Sequence, residues 1–246
     1  MTNKFDLSII IPAYSEAKRI GTTLDKLADF IKNDKVIKNL KIEVLVVSAD
    51  SKDNTHDIIS THAKDFTNFT LIKPGPRVGK GRDVRVGMLK ARGDAVVFMD
   101  ADLATPLKYL PIFYRRFRDG ADVIVATRNL KKHHPEFLRR SLSIFGNVLF
   151  RAMGGVWIED SQCGFKMFSR AANKVCFTRL KTLGWGFDME ILTIAKSNHY
   201  KIVSVRVDDW KSVPGGSFVS GALKSSIESL VDLTIIMFRR LTGRYR

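Results

Sequence analysis

The sequence predicts an α/β fold in which a mainly parallel sheet is flanked by helices. In the first half of the 246-residue chain, short apolar runs alternate with amphipathic stretches, as in strand–helix–strand units. The apolar runs are continuous, which is typical of parallel strands that are buried on both faces. We interpret residues 1–246 as a single domain, although this length also suits two small ones.

The elements of the first half follow in chain order. Strands are predicted at Leu7–Ile11, Ile42–Val47, Phe69–Ile72, Ala95–Met99 and Asp122–Ala126. Helices are predicted between them at about Ala17–Ile31, Asp53–Ala63, Arg82–Ala91 and Leu107–Phe117. Ligands of open α/β sheets gather outside the carboxyl ends of the strands, so the residues that follow each strand are the candidates for chemistry.

The second half is less regular. We predict a basic loop at Lys131–Arg140, an amphipathic helix near Leu142–Met153, a loop at Glu159–Lys166, and helices near Phe187–Lys196 and Leu223–Phe238.

The composition limits the classes of partner. A net charge of +16 indicates an anionic partner, whether nucleic acid, anionic lipid or a phosphorylated substrate. Two cysteines, Cys163 and Cys176, are too few for a disulfide framework, so we expect reduced thiols in a cytoplasmic setting. No apolar run approaches the roughly 20 residues that span a bilayer, so we expect any membrane contact to be peripheral.

Two carboxylates one residue apart follow the predicted fourth strand. Asp100 and Asp102 come directly after Ala95–Met99. Such a pair can jointly hold a hard divalent cation that bridges a diphosphate, so we expect Mg²⁺ or Mn²⁺ there. The alternative is a solvated acidic turn, but the position at a strand end favours the metal site.

A basic, glycine-rich turn follows the third strand. It is not a P-loop, because three residues separate Gly75 from Gly79 and Gly81 follows Lys80. A turn of this kind at a helix start can still hold a nucleotide or phosphate through backbone N–H groups. The alternative is a turn that merely joins strand to helix.

Several motifs together resemble the family 2 glycosyltransferases, which have a GT-A type nucleotide-sugar-binding fold. The motifs are Pro12-Ala13-Tyr14-Ser15-Glu16, Val46–Thr55, Gly79-Lys80-Gly81 and Asp100-Ala101-Asp102. Two later segments, Asp160–Lys166 and Trp185–Glu190, resemble the dolichyl-phosphate β-glucosyltransferase branch and its polyprenyl-phosphate relatives. The resemblance covers nearly the whole chain.

The resemblance implies inverting transfer of a hexose, first of all glucose from UDP-glucose, to a polyprenyl phosphate of the dolichyl type. Residues expected at the nucleotide sugar are Pro12, Ala13, Tyr14, Glu16, Asp50, Lys80, Asp100, Asp102, Gln162, Trp185, Asp188 and Glu190. The family usually has Asn in place of Ser15 and Asp-Asp-Gly in place of Ser48-Ala49-Asp50, so Asp50 is expected to substitute from one position along. These departures leave open whether the donor nucleotide is UDP or GDP.

On the acceptor side, the resemblance implies that Arg128, Arg139 and Arg140 bind the lipid phosphate; the alternative is a solvated basic face. A lipid phosphate is already ionised, so its oxygen can attack the anomeric carbon of the sugar without the help of a strong base. The expected catalytic residues are Asp100, Asp102 and Asp160, and Asp160 would be the base if the acceptor were a hydroxyl. Trp185 and Trp210 are expected at the sugar or the acceptor entrance, or simply in the core.

We divide the domain into a nucleotide-sugar half at 1–130, an acceptor half at 131–222 and a C-terminal amphipathic basic helix at 223–246. Apolar residues recur at helical spacing in Leu142–Met153 and Leu223–Phe238, which core packing explains equally well. The cations after the last helix favour peripheral contact with an anionic membrane, on its cytoplasmic face. They are Arg239, Arg240, Arg244 and Arg246.

Three alternatives stay open. One is a polyprenyl-phosphate mannosyltransferase that uses GDP-mannose, and another is a transferase that acts on a hydroxyl acceptor. The third, a non-enzymatic nucleic-acid binder, would explain the charge, but the sequence lacks interleaved aromatic and basic motifs, so we expect no nucleic-acid partner. The sequence does not indicate the oligomeric state.

Overall fold

The computed structural model describes residues 5–128, 158, 160–211 and 222–245, with the side chains of 222–230 excepted. Several sequence-based predictions lie outside these residues. They are the basic loop after residue 130, the helix near Leu142–Met153, the phosphate-binding roles of Arg139 and Arg140, and the contribution of Arg246.

Seven strands of the described residues form one sheet in the order β3-β2-β1-β4-β6-β5-β7. Their bounds are β1 Phe5–Ala13, β2 Ile42–Ser48, β3 Phe69–Ile72, β4 Gly93–Met99, β5 Val123–Arg128, β6 Phe165–Ser169 and β7 Ile202–Val207. Neighbours are parallel except at β6, which runs antiparallel to β4 and β5. The mainly parallel sheet and the five strands predicted in the first half are confirmed.

Helices cover both faces of this sheet. Their bounds are α1 Ile20–Asn33, α2 Thr55–His62, α3 Lys80–Lys90, α4 Leu110–Arg118, α5 Arg170–Arg179, α6 Phe187–Ser197 and α7 Ala222–Leu241. One face packs against α1, α2 and α4, and the other packs against α3, α5, α6 and α7. Apolar residues fill both interfaces, so the sheet is buried on each side, as its continuous apolar strands predict.

Two strands and one helix were not predicted. The sequence pattern predicts a loop at Phe165 and Lys166, whereas these residues begin β6, and Lys166 is fully buried there. A lysine inside an apolar run reads as a surface residue unless its buried partner is known. The edge strand β7 and helix α5, which Ser169 caps by accepting the Ala172 N–H at 3.3 Å, were also missed.

The last helix, α7, packs its Leu233 and Ile236 into the core beside α6. Its opposite side exposes an apolar stripe, which consists of Val231, Ile235, Phe238 and Leu241. The described part of the chain contains no helix with the length and apolar character that crossing a bilayer requires.

Candidate active site

The loops after β1, β2 and β4 open on the same edge of the sheet, because these strands are parallel and adjacent. Two residues of these loops have a left-handed backbone, Ser15 with φ of 54° and Leu103 with φ of 52°. Residues other than glycine adopt this conformation rarely, and such strain clusters at functional sites. The edge that carries the predicted site residues is therefore also where the backbone is unusual.

Lys80 and Asp100 form the centre of this edge. Helix α3 begins at Lys80, whose Nζ lies 2.5 Å from Asp100 Oδ1. Burial lowers the pKa of Lys80, but Asp100, Asp188 and Asp102 outweigh it and hold that pKa above its ordinary value. The ammonium group is therefore charged at neutral pH, and it stands among three carboxylates.

The backbone of Gly164 closes the other side of Asp100. A Cβ atom at Gly164 would lie 1.9 Å from Asp100 Oδ2, so only glycine allows this approach. Asp100 is thus held between the Lys80 ammonium group and the main chain that leads into β6.

The other carboxylates of the edge repel one another. Burial raises the pKa of Asp102, and the nearby Asp100 raises it further, although Asp102 Oδ1 accepts the Ala104 N–H at 3.0 Å. Burial likewise raises the pKa of Glu16, with Asp102 and Asp100 adding to the effect, while Arg19, bonded at 2.8 Å, opposes it. A cation at this position would relieve the repulsion.

The donor set fits a hard divalent cation only in part. Within the described ranges, no group of three or more His, Cys, Asp or Glu side chains is arranged to hold a metal ion. Asp100 and Asp102 supply carboxylate oxygens, which Mg²⁺ and Mn²⁺ prefer, and Mg²⁺ is usually bound by one or two carboxylates together with phosphates and water. The pair therefore suits an ion that arrives with a diphosphate.

The end of β1 meets the glycine-rich turn through an aromatic contact. The Arg77 guanidinium lies 4.1 Å from the ring centre of Tyr14, which follows Pro12 and Ala13 of the strand. Asp50 is exposed, and its backbone N–H donates to Gly75 O at 3.0 Å. The loops after β1, β2 and β3 thus adjoin one another, as the nucleotide-binding hypothesis requires.

Asp53 joins two of these loops, and the sequence analysis gave it no role. Its Oδ2 accepts the Ala17 N–H at 3.2 Å, and its Oδ1 accepts the hydroxyls of Ser51 and Thr55. Burial raises the pKa of Asp53, but these hydrogen bonds outweigh it and lower that pKa. A signal for this role is the tendency of Asp in loops to form Asx turns, in which the carboxylate accepts the N–H two residues on, as Asp53 Oδ1 does from Thr55 at 3.3 Å.

Arg128 and Asp160 form a second centre, at the end of β5. Arg128 Nε lies 2.5 Å from Asp160 Oδ2 and Nη2 lies 3.0 Å from Oδ1. The Arg128 guanidinium also lies 5.1 Å from the ring centre of Trp210. Burial raises the pKa of Asp160, but Arg128 outweighs it, so the carboxyl has a pKa below its ordinary value. Gln162, whose side chain is exposed, donates its backbone N–H to Asp160 Oδ1 at 3.1 Å.

A buried ion pair links the two centres. Lys166 Nζ donates to Asp188 Oδ1 and, at 2.6 Å, to Cys163 O. Burial raises the pKa of Asp188 despite the opposing effects of Lys166 and Lys80. The structure therefore brings Asp188 to the Lys80–Asp100 centre and adds Lys166, to which the sequence analysis gave no role.

Trp185 and Glu190 lie beside this region in different ways. The ring centre of Trp185 lies 5.7 Å from Lys80 Nζ, and the residue is 36% exposed. Glu190 is fully buried, and both of its carboxylate oxygens accept hydrogen bonds from protein groups. This arrangement replaces the expected sugar contact of Glu190 with contacts inside the fold.

Known proteins are similar to this chain over almost all of its length. Residues 8–177 match the family described as Glycosyl transferase family 2. A dolichyl-phosphate beta-glucosyltransferase of Trichomonas vaginalis is 31% identical over an alignment that covers 96% of this chain and 74% of that protein. The dolichyl-phosphate beta-glucosyltransferase of Saccharomyces cerevisiae is 31% identical, with coverage of 98% and 76%.

Solved structures share the fold at low sequence identity. Glucosyl-3-phosphoglycerate synthase from Mycobacterium tuberculosis in complex with UDP has a TM-score of 0.69 and 17% identity, covering 95% of this chain and 80% of that one. The same enzyme in complex with Mn²⁺, UDP-glucose and phosphoglyceric acid has a TM-score of 0.65 and 16% identity, with the same coverage.

Proposed function

The chain belongs to glycosyl transferase family 2 and has the GT-A type fold, and on that premise we propose that it transfers glucose from UDP-glucose to a polyprenyl phosphate of the dolichyl type. The proposed transfer inverts the configuration at the anomeric carbon. Support for the sugar and the acceptor comes from relatives named dolichyl-phosphate beta-glucosyltransferase, which match 96% to 98% of the chain.

On the donor side, we assign the nucleotide to the edge formed by the loops after β1, β2 and β3. Tyr14 and Arg77 present a ring and a guanidinium for the base, and Lys80 presents its ammonium group to the diphosphate. Asp100 and Asp102 would hold Mg²⁺ or Mn²⁺, which when bound supplies positive charge to the departing nucleoside diphosphate. Trp185 and Asp188 are assigned to the sugar side of the same edge.

The single observation that carries the acceptor class is the ion pair of Arg128 and Asp160. The carboxylate that would serve as base for a hydroxyl acceptor is buried, bonded to a guanidinium and held at a lowered pKa. A lowered pKa makes a poor general base at neutral pH. An acceptor that is already ionised needs no such base, and Arg128, whose side chain is 17% exposed, is the cation that we assign to its phosphate.

Because the acceptor is a lipid, the enzyme must contact a membrane surface, and α7 has an exposed face that suits this contact. The stripe of Val231, Ile235, Phe238 and Leu241 is exposed, and the Arg244 guanidinium lies 5.9 Å from the ring centre of Phe238. An apolar face next to cations is typical of helices that lie in the headgroup region of anionic membranes. We therefore assign this stripe to peripheral membrane contact.

The test is transfer of radiolabelled glucose from UDP-glucose into extractable polyprenyl phosphate, with Mg²⁺, Mn²⁺ or EDTA present. We expect lipid labelling that EDTA abolishes. A parallel reaction with GDP-mannose tests the donor, since labelling from GDP-mannose alone would replace the glucosyl proposal with the mannosyl one. Labelling of a hydroxyl acceptor without any lipid product would overturn the acceptor class.

A further inference from the structure

Glu190 is a buried carboxylate that joins two distant segments of the chain. Its Oε2 accepts the backbone N–H groups of Lys181 and Thr182, at 3.1 and 2.6 Å. Its Oε1 accepts from Arg239 Nη1 at 3.0 Å and from the Tyr245 hydroxyl at 2.6 Å. The Glu190 side chain is 0% exposed and its bond to the Tyr245 hydroxyl is buried, whereas the other three bonds are partly buried.

The first segment, residues 181–185, is here called the 181–185 loop, and it adjoins the donor edge. Leu183 O accepts the Arg82 N–H at 3.1 Å, in the first turn of α3. A Cβ atom at Gly79 would lie 2.4 Å from Leu183 O, so the loop and the turn before Lys80 are in close backbone contact. Trp185, in the same loop, lies beside Lys80. A shift of the 181–185 loop would therefore move both Lys80 and Trp185, which we assign to the donor site.

The second segment, residues 239–245, is here called the tail. Tyr245 is 2% exposed, and its backbone oxygen accepts from Arg179 Nη1 at 2.8 Å and from Asn198 Nδ2 at 2.6 Å. Burial and the hydrogen bond to Glu190 raise the pKa of Tyr245, so its hydroxyl remains a donor at neutral pH. The tail is thus anchored to Arg179 of α5 and to Asn198 at the end of α6, and Glu190 connects it to the 181–185 loop.

We propose that Glu190 is a positioning residue for the transfer reaction, because it fixes the 181–185 loop against the donor edge by means of the tail. This inference rests on the proposed donor site, and Glu190 itself does not touch the substrate. Hydrogen bonds from backbone N–H groups to a carboxylate are charge-assisted and stronger than bonds between neutral groups, so Glu190 holds the N–H groups of Lys181 and Thr182 firmly. The carboxylate in turn requires Arg239 and the Tyr245 hydroxyl, since a buried charge without partners is costly.

The test compares Tyr245→Phe with Tyr114→Phe, a matched control in α4 on the opposite face of the sheet. UDP binding is measured by calorimetry with Mn²⁺ present, well below the unfolding temperature, and steady-state kinetics separate donor KM from kcat. We expect Tyr245→Phe to weaken UDP binding and raise the donor KM about fivefold, with kcat and the acceptor KM within about twofold. Glu190→Gln should have the larger effect, while Tyr114→Phe should bind UDP as the wild type does.

The outcomes separate this inference from the proposed function. If the wild type binds UDP and Tyr245→Phe binds it equally well, the positioning role is overturned, even if the variant is less stable. If the wild type binds GDP instead of UDP, the proposed donor is overturned and the same comparison is made with GDP. Absence of binding to either nucleotide would overturn both proposals.

Discussion

Arg128 and Asp160 are bonded at two points, with Nε 2.5 Å from Oδ2 and Nη2 3.0 Å from Oδ1. The Asp160 side chain is 0% exposed, and its Oδ2 also accepts the Arg128 backbone N–H at 3.2 Å. The guanidinium therefore has a fixed orientation at the end of β5, with Trp210 beside it. Asp160 positions Arg128, which is the group that we assign to the acceptor phosphate.

Replacing Asp160 should impair use of the acceptor far more than use of the donor. Asp160→Asn removes the charge that orients Arg128, so we expect the KM for polyprenyl phosphate to rise tenfold or more and the donor KM to change less than threefold. Kinetics with each substrate varied in turn measure this. Asp208→Asn is the control, because Asp208 also pairs with an arginine, Arg206, but both side chains are exposed. An equal rise of both KM values in Asp160→Asn would contradict the assignment.

The same pair predicts a dependence of stability on pH. Because Arg128 holds the pKa of folded Asp160 below its value of about 3.9 in an unfolded chain, ionised Asp160 stabilises the fold above pH 4. That contribution is lost as the pH falls through the lowered pKa of the folded state. Urea unfolding should therefore show a free-energy difference between wild type and Asp160→Asn at pH 7 that shrinks below pH 4. A difference that grows toward acid pH would show that the pKa of Asp160 is raised instead.

Asp102 should behave in the opposite way. Burial and the charge of Asp100 raise its pKa, so the folded protein holds the proton more readily and ionised Asp102 destabilises the metal-free protein at neutral pH. Asp102→Asn should raise Tm in EDTA by a few degrees at most, since solvent screens part of the repulsion. We also expect Mn²⁺ with UDP to raise the Tm of the wild type, and expect Asp102→Asn to remove that rise and abolish transfer. A variant that keeps full activity and the Mn²⁺ effect would overturn the metal assignment.

Gly164 offers a test of the donor edge that leaves every charge in place. In Gly164→Ala the new Cβ would lie 1.9 Å from Asp100 Oδ2, so the carboxylate must shift from its present position beside Lys80. We expect kcat/KM for the donor to fall at least tenfold and stability to fall by about 1–3 kcal/mol. Gly184→Ala is the control, because a Cβ there would meet nothing within 4 Å. Equal activity of the two variants would show that the position of Asp100 is not critical.

Sequence patterns predict correctly those strands and site positions whose structure depends on the local pattern alone. The strand ends that carry Asp100 and Arg128 could be located because buried parallel strands are continuous apolar runs and their ends share an edge. Strand β6 could not be located, because its Lys166 is satisfied by Asp188, which lies 22 residues away. The pairing of Arg128 with Asp160 was likewise invisible, although both residues were predicted separately as site residues.

Glu190 is a residue whose role the sequence motif does not reveal. Its position in a motif shared with glycosyltransferases suggested contact with the sugar, whereas its partners are Lys181, Thr182, Arg239 and Tyr245. Motif membership says that a residue matters, but only the three-dimensional arrangement of donors and acceptors distinguishes a ligand contact from a structural one.

The exposed stripe of α7 predicts binding to anionic vesicles. Ile235→Ser removes apolar area from the stripe without opening the core, so we expect co-sedimentation with phosphatidylserine-containing vesicles to weaken about threefold to tenfold. The control is Ile112→Ser, because Ile112 in α4 is 43% exposed against 41% for Ile235 but lies on the other face of the sheet. High salt should weaken binding of the wild type as well, because the guanidinium of Arg244, which lies beside Phe238, loses its attraction to the headgroups. Equal vesicle binding by both variants would assign the stripe to some contact other than a membrane.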